Sequence, residues 1–218
     1  MIPYIASIQV GKPKEIDKSN DPWTSGFFKE PVDNKVLLTK INLDGDGQAD
    51  LVNHGGENKA VLAYSADHYS DWKNELNNPN LPYGAFGENF TIFGLQEKDV
   101  CIGDVYIIGD DIIVQVSQPR RPCWKISRRW NIKDLTKQVL DSLRTGWYFR
   151  VLKEGYVIKE SPVRLIERPH PELTVQIANE IMHKRKIDAH ILKELVECPS
   201  LADNWQDDFK KLLHSHNQ

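Results

Sequence analysis

Short runs in which hydrophobic and polar residues alternate dominate the first two thirds of the chain. The alternation is clearest in residues 4–10, 36–43, 90–93, 104–108 and 112–116, and Gly, Pro, Asn and Asp separate these runs. A period of two is typical of half-buried β-strands. Because many short strands with few helices favour a closed or nearly closed sheet, the pattern predicts a mostly β barrel.

Two helices are predicted to interrupt these strands. The first follows Ser65, whose side chain is of a type that caps helix N-termini, and hydrophobic residues then recur on one helical face. The second is expected to begin near Asn131 and to end at Gly146. We therefore expect a strand-rich domain with a few helices.

A proline-rich connector, Arg168-Pro169-His170-Pro171, separates the strand-rich region from a helical one. Beyond it, hydrophobic residues recur at helical spacing and predict three helices, the second capped by Asp188 and the third by Ser200. We therefore predict two domains, a β-barrel of residues 1–167 and a small all-α three-helix domain of residues 168–218.

The overall composition excludes several classes of protein. The 218 residues include 28 Lys and Arg, 31 Asp and Glu and 40% hydrophobic residues, which is an ordinary globular composition. Hydrophobic runs fall short of the ~18 residues needed to cross a bilayer, and the N-terminus lacks an export signal, so we expect a cytoplasmic protein that binds no membrane. From Glu172 onwards, acidic residues outnumber basic ones, so we expect no nucleic-acid binding.

Reactive chemistry is expected around Cys123. The chain has three cysteines, too few for a disulfide framework, and in the cytosol each is expected to be a free thiol. Residues 112–133 contain six Lys and Arg and no Asp or Glu. Cys123 follows Pro122, and proline favours the first position of a helix, so we expect the thiol in a first helical turn. Positive charge and a helix N-terminus both favour the thiolate, which is nucleophilic and binds soft metals.

Two glycine-containing segments are further candidates for ligand binding. They comprise His54, Gly55, Gly56 and Lys59 in one segment, and Gly87, Glu88 and Asn89 in the other. Paired glycines allow backbone N–H groups to approach an anion, and the lysine adds positive charge. The second segment would place a carboxylate and an amide in a pocket. Both segments have the ordinary alternative of a turn between strands.

Other polar and aromatic residues are interpreted as structural. Asp44, Asp46 and Asp50 lack the glycine and the terminal glutamate of a calcium loop at the required spacing, so we interpret them as a polar turn. We interpret Trp124 and Trp147 as packing residues rather than as substrate platforms.

Six short motifs follow one another in an order that resembles the MOSC domain family, which is named after the C-terminal domain of molybdenum cofactor sulfurases. They are Ser25-Gly26-Phe27-Phe28-Lys29-Glu30-Pro31-Val32, His54-Gly55-Gly56 with Lys59-Ala60-Val61, Phe86-Gly87-Glu88-Asn89, Val116-Ser117-Gln118-Pro119-Arg120 with Pro122-Cys123, Gly146-Trp147-Tyr148 with Arg150-Val151, and Glu167-Arg168-Pro169-His170-Pro171. Each motif alone is weak, but their order over nearly the whole chain is specific. The resemblance is to the stand-alone, YiiM-like bacterial members.

The resemblance implies a strand-rich barrel followed by a three-helix domain, and a protein that binds the molybdenum cofactor, molybdopterin. Cys123 matches the family's reactive cysteine and would be a ligand of molybdenum. We assign the following residues to cofactor binding: Arg120, Arg121, Lys29, Lys125, Gly55, Gly56, Lys59 and Asn89. The arginines and lysines would neutralise the phosphate through charge-assisted hydrogen bonds.

In YiiM-like proteins the implied activity is reduction of N-hydroxylated compounds, such as hydroxylaminopurine bases, to amines. Cleavage of an N–O bond needs a proton, and we assign its delivery to Glu88 or His54. Pyridoxal phosphate is not expected, because 218 residues leave no room for a desulfurase domain. The sequence contains no flavin, haem or iron–sulfur motif, so we expect the electrons to come from a separate flavin or iron–sulfur protein that docks on the helices. We expect a small-molecule substrate, and we allow for a homodimer.

Two alternative functions of Cys123 stay open. In the first, the protein is a sulfur carrier for cofactor sulfuration and holds a persulfide on Cys123. In the second, it is a Cys-His hydrolase that uses Cys123 and His54.

Overall fold

Strands dominate the first 167 residues and helices the remainder, as the hydrophobic pattern predicts. The structure is a computed structural model, and it describes residues 1–16, 22–50, 55–184 and 188–216. The strands of these residues are β1 Tyr4–Val10, β2 Lys14–Ile16, β3 Trp23–Ser25, β4 Glu30–Pro31, β5 Val36–Leu38, β6 Val61–Ser65, β7 Phe90–Phe93, β8 Val105–Ile108, β9 Ile112–Pro119, β10 Trp147–Lys153, β11 Gly155–Val157 and β12 Val163–Glu167.

The two longest helices of the described residues lie in the C-terminal part of the chain. The α-helices of the described residues are α1 Tyr69–Glu75, α2 Lys125–Trp130, α3 Leu135–Ser142, α4 Val175–Asn179, α5 Ala189–Glu197 and α6 Asp203–His216. Single turns of 3-10 helix lie at Glu57–Lys59 and Ala66–His68, and a π-helical turn, Glu180–Lys184, continues α4. Of these described helices, none combines the length and the apolar character needed to cross a bilayer.

Eight strands form one strongly curled mixed sheet in the order β12-β8-β9-β10-β6-β7-β1-β4. Strands β6 and β7 are parallel, and the remaining neighbours in this sheet are antiparallel. The curl brings the two sides of the sheet together: Tyr4 forms a bridge with Pro162, and the N–H of Ile5 donates to the carbonyl of Ser161 at 3.0 Å. The predicted barrel-like fold with a helical C-terminal region is thus confirmed.

The hydrophobic core runs without a break from the sheet into the C-terminal helices. Phe149 of β10 and Val116 of β9 belong to the same buried cluster as Leu195, Trp205 and Phe209 of the last two helices. The helices therefore bury their apolar faces against the sheet as well as against each other. A boundary between residues 167 and 168 stays a prediction.

Several predicted elements have different bounds in the structure. The side chain of Ser65 caps the turn that leads into α1, as expected. The helix predicted from Asn131 instead begins at Leu135, and this part of the prediction is wrong. Asn131 ends the preceding helix α2 with a φ of 55°, a left-handed conformation that asparagine tolerates better than most residues.

Of the two N-terminal caps predicted for helices of the C-terminal region, the cap of α5 is correct and the cap of α6 is wrong. Asp188 caps α5 by accepting the N–H groups of the first turn. Ser200 does not cap the last helix, which begins at Asp203. The N–H of Ala202 donates to the carbonyl of Ser117 in β9 at 3.0 Å, so contact with the sheet sets where this helix begins.

Strand lengths near the site also depart from the hydrophobic pattern. The predicted strand of residues 36–43 ends at Leu38, and the chain folds back so that Leu43 pairs with Leu38. The strand predicted to end at Val116 continues to Pro119. Strand β9 therefore extends into the motif that leads to Cys123.

The connector after the sheet is held by an ion pair between Arg168 and the buried Asp104. Arg168 donates to both carboxylate oxygens of Asp104, from Nε at 2.9 Å and from Nη2 at 2.6 Å. The side chain of Asp104 is fully buried and also accepts the N–H of Cys101 at 2.9 Å. These hydrogen bonds raise the pKa of Arg168. The pair therefore fixes the beginning of the helical region to the sheet.

Replacing Arg168 by methionine would leave the buried Asp104 carboxylate without its cation. We expect Arg168→Met to lower the free energy of unfolding by about 2–4 kcal/mol, because a buried charge then loses its partner. Urea unfolding measures this change. Arg164→Met, at an exposed position of β12, is the matched control, with an expected effect within about 0.5 kcal/mol. Equal effects of the two substitutions would contradict the prediction.

Candidate functional site

The candidate site forms where the end of β9 meets the beginning of β10. Gln118 lies opposite Tyr148 in the register of these antiparallel strands. The N–H of Arg120 then donates to the carbonyl of Gly146 at 3.0 Å. The chain continues from Arg120 to Cys123, so the sharpest sequence motif passes directly through the site.

Two adjoining cavities open at this junction, and we name each after a buried polar residue that lines it. Together with the open space at their mouths, the Arg120 pocket encloses about 620 Å³ and the Gln118 cleft about 1150 Å³. The residues that line both cavities are Lys59, Arg121, Cys123, Lys125 and Tyr148. Cys123 is therefore accessible from both sides.

Arg120 is the most informative group of the Arg120 pocket. The residue is only 4% exposed, and its Nη2 donates to the carbonyl of Phe86 at 2.6 Å. Its Nη1 is buried and has no acceptor among the described residues. An unpaired buried donor costs about 1–3 kcal/mol, and more when it is charged. Arg120 thus brings a fixed cationic side chain to the pocket, with one donor that is unused among the described residues, and such a group suits an anionic ligand.

Other cations surround the shared wall of the two cavities. Burial lowers the pKa of Lys59, the nearby charge of Arg121 lowers it further, and Asp50 opposes both effects. Lys125 adds a third positive charge and lies 5.9 Å from the ring centre of Trp23. The cationic residues predicted from the sequence therefore come together here.

Arg121 connects the site to the C-terminal helices. Its Nη2 lies 2.8 Å from Oδ2 of Asp208, and its guanidinium carbon lies 4.6 Å from the ring centre of Trp205. Hydrogen bonds from Lys211 and Arg121 lower the pKa of Asp208. Asn204, at the beginning of α6, lines the Gln118 cleft. The helical region therefore forms part of the wall of the site.

Cys123 is half-buried and lies two residues before α2, so the expectation that it occupies a first helical turn is wrong. Trp124 is the residue that precedes the first turn. The carbonyl of Cys123 accepts the N–H of Ile126 at 3.2 Å and the hydroxyl of Thr136 at 3.1 Å. These two bonds fix the backbone of Cys123 at the edge of the cavities.

The other two cysteines differ from Cys123 in their surroundings. Cys101 and Cys198 are buried. Burial raises the pKa of Cys101 to about 11 and also raises the pKa of Cys198. Neither residue lines the Arg120 pocket or the Gln118 cleft. Cys123 is therefore the cysteine that lines these two cavities.

Lys29 and Asn89 line the Arg120 pocket, but both side chains already contact the carboxylate of Asp46. Lys29 forms a buried ion pair with Asp46. Asn89 donates from Nδ2 to Oδ2 of Asp46 at 2.8 Å, and the N–H of Gly11 donates to the other oxygen at 2.8 Å. Burial lowers the pKa of Lys29 although Asp46 opposes the shift. Asp46, interpreted from the sequence as part of a polar turn, is a buried anchor for the pocket wall.

Glu88 is not brought to either cavity. Its carboxylate is fully buried and accepts the hydroxyl of Tyr69, the N–H of Gly84 at 2.8 Å, the N–H of Phe86 at 3.1 Å and the hydroxyl of Thr91 at 3.0 Å. These four donors make Glu88 the fixed centre of the loop that precedes β7. The structure therefore gives Glu88 a structural role instead of the predicted role in proton delivery.

The predicted residues of the glycine segment are only partly brought together. His54 lies outside the described residues. Gly55 lines the Arg120 pocket beside Lys59. Gly56 is exposed, has a φ of 84° and lines neither cavity, so it serves the turn that leads into the 3-10 helix.

Four residues that line the site were not assigned to it from the sequence, namely Gln118, Trp124, Tyr148 and Asn204. Gln118 and Tyr148 lie within the motifs that carry the family resemblance, and membership of these motifs is the sequence signal that could have identified them. Burial raises the pKa of Tyr148, while nearby Arg120 lowers it and Cys123 raises it. Trp147 is fully buried, as expected for a packing residue, whereas Trp124 is 53% exposed and lines the Gln118 cleft.

Comparison with known proteins yields relatives that cover nearly all of the chain. The uncharacterized protein YflK of Bacillus subtilis (strain 168) is 40% identical over 207 residues, which are 95% of this chain and 93% of that protein. A protein of Gibberella moniliformis named "Reductase" is 36% identical over 196 residues, which are 88% of this chain. The chain spans about a third, 34%, of the length of that fungal protein.

The fold is also found in a solved structure, that of YiiM from Geobacillus stearothermophilus. The TM-score is 0.81 at 36% sequence identity, and the superposition covers 97% of this chain and 99% of that one. The MOSC domain profile matches residues 50–164, and the profile of the YiiM-like, 3-alpha helix domain matches residues 173–216. The chain therefore belongs to the MOSC domain family, as a YiiM-like member with a C-terminal three-helix domain.

Proposed function

We propose that this protein binds the molybdenum cofactor in the Arg120 pocket and uses it to reduce N-hydroxylated compounds to amines. The observation that carries the proposal is Nη1 of Arg120, a buried cationic donor without an acceptor among the described residues, beside an accessible Cys123. Membership of the MOSC family and the name of the fungal relative, "Reductase", support the same activity.

The residues of the pocket match the chemistry of this cofactor. The cofactor has a phosphate, and Arg120, Arg121, Lys59 and Lys125 offer a set of donors for an anion. The Cys123 sulfur is a soft donor that suits a metal bound by sulfur ligands. When bound, the cofactor supplies a two-electron redox centre for cleavage of the N–O bond.

The chain's own residues would bind and orient the substrate and supply a proton. Reduction of one hydroxylamino group consumes two electrons and two protons, breaks the N–O bond, and yields an amine and water. Tyr148 lines both cavities, and burial raises the pKa of its hydroxyl. We assign one of the two proton donations to Tyr148.

The proposal needs an external source of electrons. Electrons come from a separate flavin or iron–sulfur protein, and the reaction takes place in the cytoplasm, where thiols stay reduced. Neither pyridoxal phosphate nor nucleic acid has a role in this reaction.

Metal analysis of protein made in a host that synthesises the cofactor tests the proposal. We expect about one molybdenum and one pterin per chain in the wild type, and loss of molybdenum and of hydroxylamine reduction in Cys123→Ser, because the sulfur ligand is removed. Cys101→Ala is the matched control, since this buried thiol lies outside both cavities, and it should retain the metal. Labile sulfane sulfur without stoichiometric metal would support the persulfide carrier instead, and ester hydrolysis without metal would support the Cys-His hydrolase.

The accessibility of the three cysteines gives a second prediction. We expect one thiol per folded chain to react with a disulfide reagent at pH 7 and all three to react after unfolding, because Cys101 and Cys198 are buried and have raised pKa values. Absorbance of the released thiolate counts the reactive groups. The folded Cys123→Ser protein should show none. Rapid reaction of a second thiol in the folded state would contradict this prediction.

The anion-binding role of Arg120 is testable without the cofactor. We expect Arg120→Met to weaken binding of inorganic phosphate to the cofactor-free protein by about tenfold or more, the effect of losing one charge-assisted hydrogen bond of about 1.5–3 kcal/mol. Isothermal titration calorimetry gives the affinity. Arg164→Met removes the same charge from an exposed position and should leave phosphate binding unchanged. A comparable loss in both variants would indicate nonspecific attraction only.

A further inference from the structure

The backbone of Arg120 is held by Gly146, the residue before β10. The carbonyl of Gly146 accepts the N–H of Arg120 at 3.0 Å and the hydroxyl of Thr145 at 3.0 Å. Gly146 has a φ of 78°, and a Cβ at this position would lie 2.5 Å from the carbonyl oxygen of Ala63, so another residue would force the backbone to shift. The position of Arg120 therefore depends on the groups that hold Gly146.

A buried carboxylate holds the N–H of Gly146. Glu97 is 4% exposed, and its Oε1 accepts this N–H at 2.8 Å. Its Oε2 lies 2.6 Å from Nε2 of His68, which is also buried. Both oxygens thus have a partner, as a buried acid requires. Glu97 lines neither the Arg120 pocket nor the Gln118 cleft, so its contacts serve the wall of the site and not a ligand directly.

Glu97 also connects two elements outside the sheet. His68 belongs to the 3-10 turn before α1, and the carbonyl of Glu97 accepts the N–H of Gln176 in α4 at 3.0 Å. In addition, the fully buried Asn179 of α4 donates from Nδ2 to the Thr145 hydroxyl at 2.8 Å. The segment that leads into β10 is therefore fixed from the side of α1 and from the side of α4.

We propose that Glu97 is a positioning residue for Arg120 and acts through the backbone of Gly146. Glu97 fixes the N–H of Gly146, and the carbonyl of Gly146 fixes the backbone of Arg120. The Arg120 guanidinium is anchored separately, on the carbonyl of Phe86. A side chain that binds an anion needs its backbone held as well as its tip. This inference rests on the anion-binding role of Arg120 in the proposed function, and it adds a residue that lies outside the pocket.

Two substitutions of Glu97 separate positioning from charge. Glu97→Met removes the acceptor of the Gly146 N–H, whereas Glu97→Gln keeps an oxygen for it and a nitrogen that can donate to a neutral His68. We expect Glu97→Met to weaken binding of inorganic phosphate to the cofactor-free protein about fivefold or more, and Glu97→Gln to stay within about twofold of the wild type. Isothermal titration calorimetry measures these affinities. Loss of negative charge alone would instead strengthen phosphate binding in both variants, and that result would overturn the proposal.

A double-mutant cycle shows whether Glu97 acts through Arg120. In an Arg120→Met background, Glu97→Met should change phosphate affinity by less than about twofold, since the group that Glu97 positions is already absent. Full additivity of the two substitutions would contradict the proposal. So would a Glu97→Met protein with wild-type affinity, or a Glu97→Gln protein that binds as weakly as Glu97→Met.

Arg168→Met is the control for a general loss of stability. Arg168 lines neither cavity, and its replacement removes the partner of another buried acid, Asp104. We expect this variant to keep wild-type phosphate affinity under conditions in which it is fully folded, although its free energy of unfolding falls. A loss of affinity equal to that of Glu97→Met would give Glu97 a merely structural role and overturn the proposal.

Hydrogen exchange of the wild type tests the same linkage without a substitution, and it decides the matter if Glu97→Met does not fold. Phosphate bound at Arg120 should slow exchange of the Gly146 amide more than exchange of the Val163 amide, which donates to the carbonyl of Pro3 at 2.8 Å. Equal slowing of both amides would overturn the proposal. Failure of the proposed function shows differently, as missing molybdenum or as an Arg120→Met protein that binds phosphate as tightly as the wild type.

Discussion

The whole site depends on the way Ser117 ties three parts of the chain to the end of β9. Its hydroxyl contacts carbonyl oxygens of Asn58 and of Tyr148, and its own carbonyl accepts the N–H of Ala202. The segment with Lys59, the strand with Tyr148 and the last helix are therefore placed relative to one residue. Because the next residue is Gln118, any shift of this junction would displace the amide and the wall of the cleft together. A site assembled from three distant segments needs such a common support.

The polar groups around this junction fall into two classes that differ in whether they are satisfied within the protein. Asp46, Glu88 and Asp104 are buried acids, and each one is surrounded by donors. Arg120 and Gln118 are buried as well, but each retains one atom without a partner among the described residues. The first class stabilises the fold and fixes loops. The second class is unfavourable for stability, and groups of this kind are common at functional sites.

The sequence predicts the parts of this arrangement that depend on local patterns. The bounds of β1 and the cap of α5 follow from residue order alone, and the basic segment around Cys123 does lie at the site. The roles of Asp46 and Glu88 could not be predicted, because their partners are brought to them by folding from elsewhere in the chain. The same holds for Cys123, whose position before α2 depends on a hydrogen bond from Thr136. Long-range contacts decide these cases, and a one-dimensional pattern does not contain them.

The C-terminal helices are part of the site for a reason that goes beyond packing. Asp208 and Trp205 hold the guanidinium of Arg121 from two directions, through an ion pair and through the face of an aromatic ring. Arg121 shares the cavity wall with two other cations, Lys59 and Lys125, which repel it. The Arg121 side chain is 39% exposed, so without an acid on the facing helix this repulsion would drive it towards solvent. Asp208 therefore restrains Arg121 at a wall that both cavities share. Through Asp208, Trp205 and Asn204, the last helix therefore helps to complete the wall of the site.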